Sequence, residues 1–162
     1  MALTAWYYRV GMVLGLTVVL TCAVRAADFQ NNYNGASLEG RSFARQDLKQ
    51  AKFYKANLRG SNFEQADLRG ASFFAASLRD SNLRKARLDN SELSNADLQN
   101  AKLDQAVLSG AFMIAAKLEN VSIQGTDFSD VLINNQQKAY LCKRAGGTNT
   151  ITKRQTRTTL GC

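Results

Sequence analysis

The sequence predicts an all-β solenoid, a parallel β-helix of square coils, and three observations carry that prediction. Large apolar residues recur at every fifth position, from Tyr33, Leu38, Phe43 and Leu48 through Phe53, Leu58, Phe63, Leu68 and Phe73 and on to Phe128. A small residue stands two positions ahead of most of these centres, as at Ala51, Ala56, Ser61, Ala66 and Ala71. The positions between are rich in Gly, Asn, Asp, Arg and Lys, which suit bends and a wet surface. A helix repeats near 3.6 residues and a strand at two, so an interval of five fits neither. The chain must bend between one apolar residue and the next.

The offset of two places both fixed residues inside, because in extended backbone residues two apart face the same way. Each five-residue unit is then one short side plus one corner, and four sides close a coil. Coils stacked in parallel lie ~4.8 Å apart, so five of them make a rod of roughly 24 Å. The small residue is required because inward side chains from four sides crowd the axis. Twenty centres run without a gap from Tyr33 to Phe128, and Ile133 is a candidate for one more. Arg41, Gln46, Val121 and Thr126 break the small position near the two ends, where end coils are expected to be looser or capped.

This pattern of an alanine-like residue, a polar one, a central Leu or Phe and two variable positions resembles the pentapeptide-repeat proteins over about residues 33–130. The resemblance implies their fold, a right-handed quadrilateral β-helix; the periodicity by itself gives no hand. Taking every fourth centre separates the four sides. Side one carries Tyr33, Phe53, Phe73, Leu93 and Met113, and side three Phe43, Phe63, Leu83, Leu103 and Ile123. Leucines fill side two from Leu38 to Leu118 and most of side four, from Leu48 to Phe128. Aromatic rings thus face each other across the first coils, as packing and not as a ligand site.

Ahead of the repeat, Arg9 precedes an uncharged apolar run from Val10 to Val24, followed by "RAAD" at 25–28. That is a secretory pattern, read as a signal peptide over 1–26 with a cut after Ala26. An uncleaved anchor is the alternative, though the run is short against the ~20 residues a spanning helix needs. A lipoprotein anchor on Cys22 is another, which Thr21 fits poorly. Residues 27–32 then form an N-terminal cap segment. Without it the first coil stays open, and a homodimer through that uncapped coil is the oligomer the ends allow.

Beyond the repeat, 131–162 reads as a helical cap. The stretch "NNQQKAYLCKRAGG" at 134–147 reads as a helix ended by Gly146 and Gly147, with a shorter one at about 153–160. Such a cap covers a lower edge that otherwise exposes unpaired backbone. Cleavage removes Cys22 and leaves Cys142 and Cys162, which in an exported chain read as one disulfide. Free thiols are the alternative, and a zinc site lacks ligands in a chain with no histidine. "YLC" at 140–142 and the closing "TLGC" at 159–162 are similar to pentapeptide-repeat proteins of the thylakoid lumen in cyanobacteria and chloroplasts. The short signal fits a cyanobacterial version better than a two-stage plastid transit sequence.

Charge divides at the same boundary. The chain's formal net charge is +8, yet residues 33–130 are near balance. Residues 131–162 hold Lys138, Lys143, Arg144, Lys153, Arg154 and Arg157 and no acid. This basic cap is read either as a contact for an acidic partner or an anionic membrane surface, or as a solvated end. Outward columns on sides two, three and four are polar, with Glu64, Arg84 and Asp104 expected to stack in alternating sign. Side one differs: Tyr54, Phe74 and Ile114 stand in its outward column and Phe112 just before a centre. Apolar residues stacked on a wet face mark a candidate partner surface. The alternative is a terminal segment folded over it.

Enzymatic chemistry finds little here. No glycine-rich phosphate loop follows a strand, and without histidine no Ser or Cys has its usual base. The expectation is no catalytic residue, no cofactor, no metal and no nucleic-acid partner. The reading is a non-enzymatic exported scaffold that binds an unknown protein in a thylakoid lumen or periplasm, with no stable membrane anchor once the signal is gone. Two alternatives are a lumenal factor switched by its disulfide and a DNA mimic that occupies a topoisomerase. The latter needs an acidic rod and a cytoplasmic address, and this chain has neither.

Overall fold

The structure is a computed structural model and describes residues 31–162. The expected signal peptide, Cys22 and the cap segment ahead of Asn31 lie outside the described residues.

One residue in each five pairs with its counterpart twenty positions on, always in parallel, from Asn32 with Lys52 to Phe112 with Leu132. The side is too short for a longer strand, so each side contributes a single bridge. Three backbone bonds per unit hold neighbouring coils. Around Phe53 they run from Phe53 N–H to Ser72 O (2.7 Å), Lys55 N–H to Phe74 O (3.0 Å) and Ser72 N–H to Ala51 O (2.9 Å). A fourth, from Ala56 N–H to Phe53 O (3.1 Å), closes the corner as a tight turn. The turn needs its third residue at positive φ, as a type II turn does.

Every fifth residue from Gly35 to Asp130 meets that need, with φ between 53° and 68°. Most of them are not glycine, so the ladder on both sides holds side chains in a conformation they disfavour by about 1–2 kcal/mol. Gly60 gives a clean measure, because nothing lies within 4 Å of where its Cβ would be. Gly60→Ala is expected to cost about 1 kcal/mol in urea unfolding through backbone strain alone; an unchanged midpoint would show that the corner adapts.

The core is two columns per side. The centres from Phe53 to Met113 are at most 1% exposed, as are the small residues from Ala51 to Ala111. The rings stack as the sides predict: Tyr33 on Phe53 (4.8 Å, 7°), Phe53 on Phe73 (4.8 Å, 4°) and Phe43 on Phe63 (4.9 Å, 8°). Rings of opposite sides meet edge to face at 5.7–5.9 Å across the axis. Ser61 and Ser81 fit the inner column by donating to Leu58 O and Leu78 O, both at 2.7 Å. The four departures split by end. Arg41 and Gln46 are exposed, whereas Val121 and Thr126 are buried, with Thr126 Oγ1 donating to Leu103 O at 2.8 Å. The repeat also runs past residue 130: Leu132 still pairs, and Ile133 packs half-buried as a further centre.

The cap holds two helices, both shorter than the sequence suggests. α1 spans Asn135–Cys142 and α2 spans Thr156–Leu160. Asn134 and Gln137 form a reciprocal capping box at the start of α1. α1 stops at Lys143, before Gly146 and Gly147, because those glycines are needed against the last coil: Gly125 N–H donates to Gly146 O at 2.8 Å. A Cβ on Gly147, which sits at φ +78°, would lie 2.9 Å from Gly125 N. α2 begins later than 153 because Lys153 is left-handed, at φ 61°, and no helix passes through it. Cys142 and Cys162 are bonded, joining the ends of both helices.

Cap groups stand where a next coil would supply partners. Asn120 N–H donates to Tyr140 Oη at 2.8 Å and Phe128 N–H to Thr159 Oγ1 at 3.1 Å. Gln137 Nε2 donates to Met113 O and Ala116 O at 2.9 and 3.0 Å. The edge is therefore covered by side chains as well as backbone.

Candidate interaction surface

Three sides carry networks of ion pairs and polar hydrogen bonds. On side four Arg69 grips Asp67 with two bonds (2.8 and 2.7 Å), and Lys49 approaches the same carboxylate at 3.3 Å. Arg69 thereby holds the Asp67 pKa down to about 2, against partial burial, with the Arg69 N–H and Lys49 assisting. The charged form favours the fold, so this stabilisation is complete above the ordinary value of 3.8 and is lost as pH falls towards 2. In urea unfolding at pH 6, Asp67→Asn is expected to lie below the wild type, and the gap should close near pH 2. A gap that persists there would assign the loss to something other than charge.

Side three departs from the expected ladder. Arg84 pairs with Asp104 at 3.1 Å, but Glu64 turns to Asn82 Nδ2 at 3.4 Å instead of to Arg84. Side two links Arg79 to Asp97 and Gln99, and Gln99 to Glu119. Its corner carries Asp80, Asn100 and Asn120 in an amide ladder that leads to Tyr140.

Side one has no such network along most of its length. The Tyr54 and Phe74 rings stack at 5.9 Å and 12°, with Lys55 Nζ 5.0 Å from the Tyr54 ring centre. Tyr54 is 41% exposed and Phe74 half-buried. Two rows on, Phe112 is 41% and Ile114 53% exposed. Leu132, 47% exposed, pairs with Phe112 and extends that cluster. It is the counterpart of Phe112 one coil on, a position the twenty-residue step reveals once the repeat is carried past residue 130. Between the clusters lies one polar row, where Glu92 accepts from Ser94 N–H at 2.7 Å. Ladder bonds fix the backbone under every one of these residues: Phe112 N–H to Ser91 O, Leu93 N–H to Phe112 O, Asn95 N–H to Ile114 O. The face is rigid before anything docks on it.

Three exposed arginines of the basic cap each have a partner in the cap or the last coil. Arg144 lies over the Tyr140 ring at 4.2 Å, and Arg157 donates to Cys142 O at 3.2 Å. Arg154 donates to Ser129 Oγ at 2.8 Å and stands 3.8 Å from the fully buried Asp127 carboxylate. Burial works against that charge, but the Ser129 hydroxyl and N–H, both bonded to Oδ1, and the nearby Arg154 outweigh it and hold the Asp127 pKa below the ordinary range. These three arginines build the cap. Lys143 and Lys153 are exposed and Lys138 half-buried.

A groove of about 300 Å³ opens between the last coil and α1, lined by Ala115, Lys117, Glu119, Gln137 and Tyr140 among others. It begins one residue from Ile114. Among the described residues, no three His, Cys, Asp or Glu side chains gather to hold a metal. No described helix is long and apolar enough to cross a membrane.

Comparison with known proteins fits this geometry. The family model for the pentapeptide repeat region matches residues 36–113, and that for pentapeptide repeats in eight copies matches 96–135. A solved pentapeptide repeat protein from the Arabidopsis thaliana thylakoid lumen superposes with a TM-score of 0.79 at 39% identity, covering 80% of this chain and 90% of that one. The chain belongs to the pentapeptide-repeat family. This pentapeptide-repeat protein also shares 51% identity over 45 residues with thylakoid lumenal protein TL20.3 of Arabidopsis, a chloroplast protein. That stretch is 28% of the chain and spans 16% of the relative's length.

Proposed function

We propose that this pentapeptide-repeat protein is a non-enzymatic interaction scaffold of an exported compartment, and that side one is its docking face. The observation that carries the reading is the contrast among sides. Sides two to four carry ion pairs and amide ladders, among them Arg79 with Asp97, Arg84 with Asp104 and Arg69 with Asp67, while side one leaves Tyr54, Phe112, Ile114 and Leu132 in solvent on a hydrogen-bonded backbone. Exposed apolar patches of this kind mark contact sites. The lumenal address of both relatives supports the thylakoid lumen over a periplasm.

Phe74→Ser combined with Ile114→Asp tests the face. Both side chains point outward from positions whose backbone bonds remain, so circular dichroism should be unchanged while capture of proteins from the exporting compartment is lost. Undiminished capture by the folded double variant would overturn the reading.

A second reading rests on the disulfide. Cys162 is exposed and its bond to Cys142 ties the end of α1 to the end of α2. Reduction would then loosen the cap and switch the scaffold. It should raise protease cleavage within 131–162; equal cleavage in both redox states would remove this reading and leave the first intact.

A further inference from the structure

We infer that the partner on side one is a second copy of this chain, docked with its rod parallel to the first about a two-fold axis that runs along the rods. The inference rests on the reading of side one as the docking face and adds its occupant. A closed two-fold contact must match a surface to itself. With rods parallel, each residue before a centre faces the residue after the corresponding centre of the other copy, at the same height. The two columns stand two residues apart, ~6.6 Å, and successive rows ~4.8 Å, so the match can be read row by row.

Phe112 then meets Ile114 in both directions, and Lys52 meets the exposed Tyr54 ring, which Lys55 of its own copy approaches to 5.0 Å. Ser72 meets Phe74, and Glu92 meets Ser94. Directly opposed positions of the two columns carry no like charges, and the closest like pair is Lys52 diagonal to Lys55. The corners agree as well, because each corner after side one faces the corner before it on the other copy. In the rows of Phe74 and Ile114 those corners are Ala75 with Gly70 and Ala115 with Gly110, which let the faces close at their apolar rows. In the row of Ser94 they are Asn95 with Asn90, a pair of amides able to bond to each other. Turning one rod antiparallel about the same middle row sets Glu92 against Glu92 and Lys52 against Leu132. The opposed Glu92 carboxylates therefore favour the parallel register over this one. A strip one side wide falls short of the ~1,200 Å² total of a stable complex, so the dimer is concentration dependent.

Chain matured and recovered from the periplasm of an exporting bacterial host provides the sample. Sedimentation equilibrium over about 1–500 μM should show a monomer–dimer equilibrium, and Phe112→Asp should raise its midpoint about tenfold or more. Monomer throughout, or an unchanged midpoint in the variant, overturns the inference. Register is read from single cysteines: Glu92→Cys chains mixed with Ser94→Cys chains should cross-link on mild oxidation, and neither should cross-link alone. A disulfide between two Ser94→Cys chains overturns the parallel arrangement. If the wild type stays monomeric while capture of other proteins still depends on Phe74 and Ile114, self-docking fails and the scaffold reading stands; if both are lost, side one is not a docking face.

Discussion

Phe63→Ala is expected to lower stability by about 3–5 kcal/mol, the range for emptying a well-packed aromatic site. Phe63 is fully buried, stacked on Phe43 and edge-on to Phe53 and Phe73. The cavity cannot collapse easily, because the coil's perimeter is held by ladder bonds to the coils before and after it, such as Phe43 N–H to Asn62 O and Phe63 N–H to Asn82 O, both 2.7 Å. A solenoid's coils touch only their neighbours, so weakening the second coil should also separate the unfolding of the first from the rest. Urea unfolding read by far-ultraviolet circular dichroism checks this. A loss below about 1 kcal/mol would mean that the ring column is not the packed core described here.

Asn149→Ala is the second large effect, and it acts at the cap. Asn149 is fully buried, and its Nδ2 lies 3.2, 3.1 and 2.8 Å from the carbonyls of Gln105, Ala106 and Gly125. Its Oδ1 accepts from Ile151 N–H and Thr152 N–H at 2.9 and 3.0 Å. One side chain thus bonds two coils and shapes the loop that covers them. Its loss strands several buried polar groups at about 1–3 kcal/mol each, before relaxation. The expected result is about 3 kcal/mol of destabilisation and rapid proteolysis within 134–162, with the coils up to Ala101 still resistant. Proteolysis no faster than in the wild type would show that the disulfide and the remaining cap bonds suffice.

The contrast between these two residues explains what the sequence made legible. Phe63 announces itself because it recurs in phase with its neighbours, and twenty repetitions turn a weak local preference into a strong one. The sides, the ring stacks and the exposed Tyr54 and Phe74 follow from the same arithmetic. Asn149 gives no such signal: in "GGTNTIT" it looks like any polar loop residue, and only the folded-back cap reveals that it lies among carbonyls. The arginines of the cap were hidden for a related reason. Composition gives no sign that Arg144, Arg154 and Arg157, all exposed, rest on a ring, beside a buried carboxylate and against a helix-end carbonyl. Helix limits also escaped, since Lys153 takes a left-handed conformation that its residue type does not suggest. Periodic features are readable one-dimensionally; features made by a single long-range contact are not.

The repeat has no packing use for Tyr54, Phe112, Ile114 or Leu132, each of which faces away from a core already filled by the centres. The docking proposed for side one would supply a reason for their exposure.

The most direct test places a photo-crosslinking amino acid at position 114, on side one, and in a second variant at position 99, on side two, and illuminates both within the compartment that receives the mature chain. The account predicts discrete protein adducts from position 114 and none from position 99. Equal adducts from both positions, or none from position 114, would contradict it.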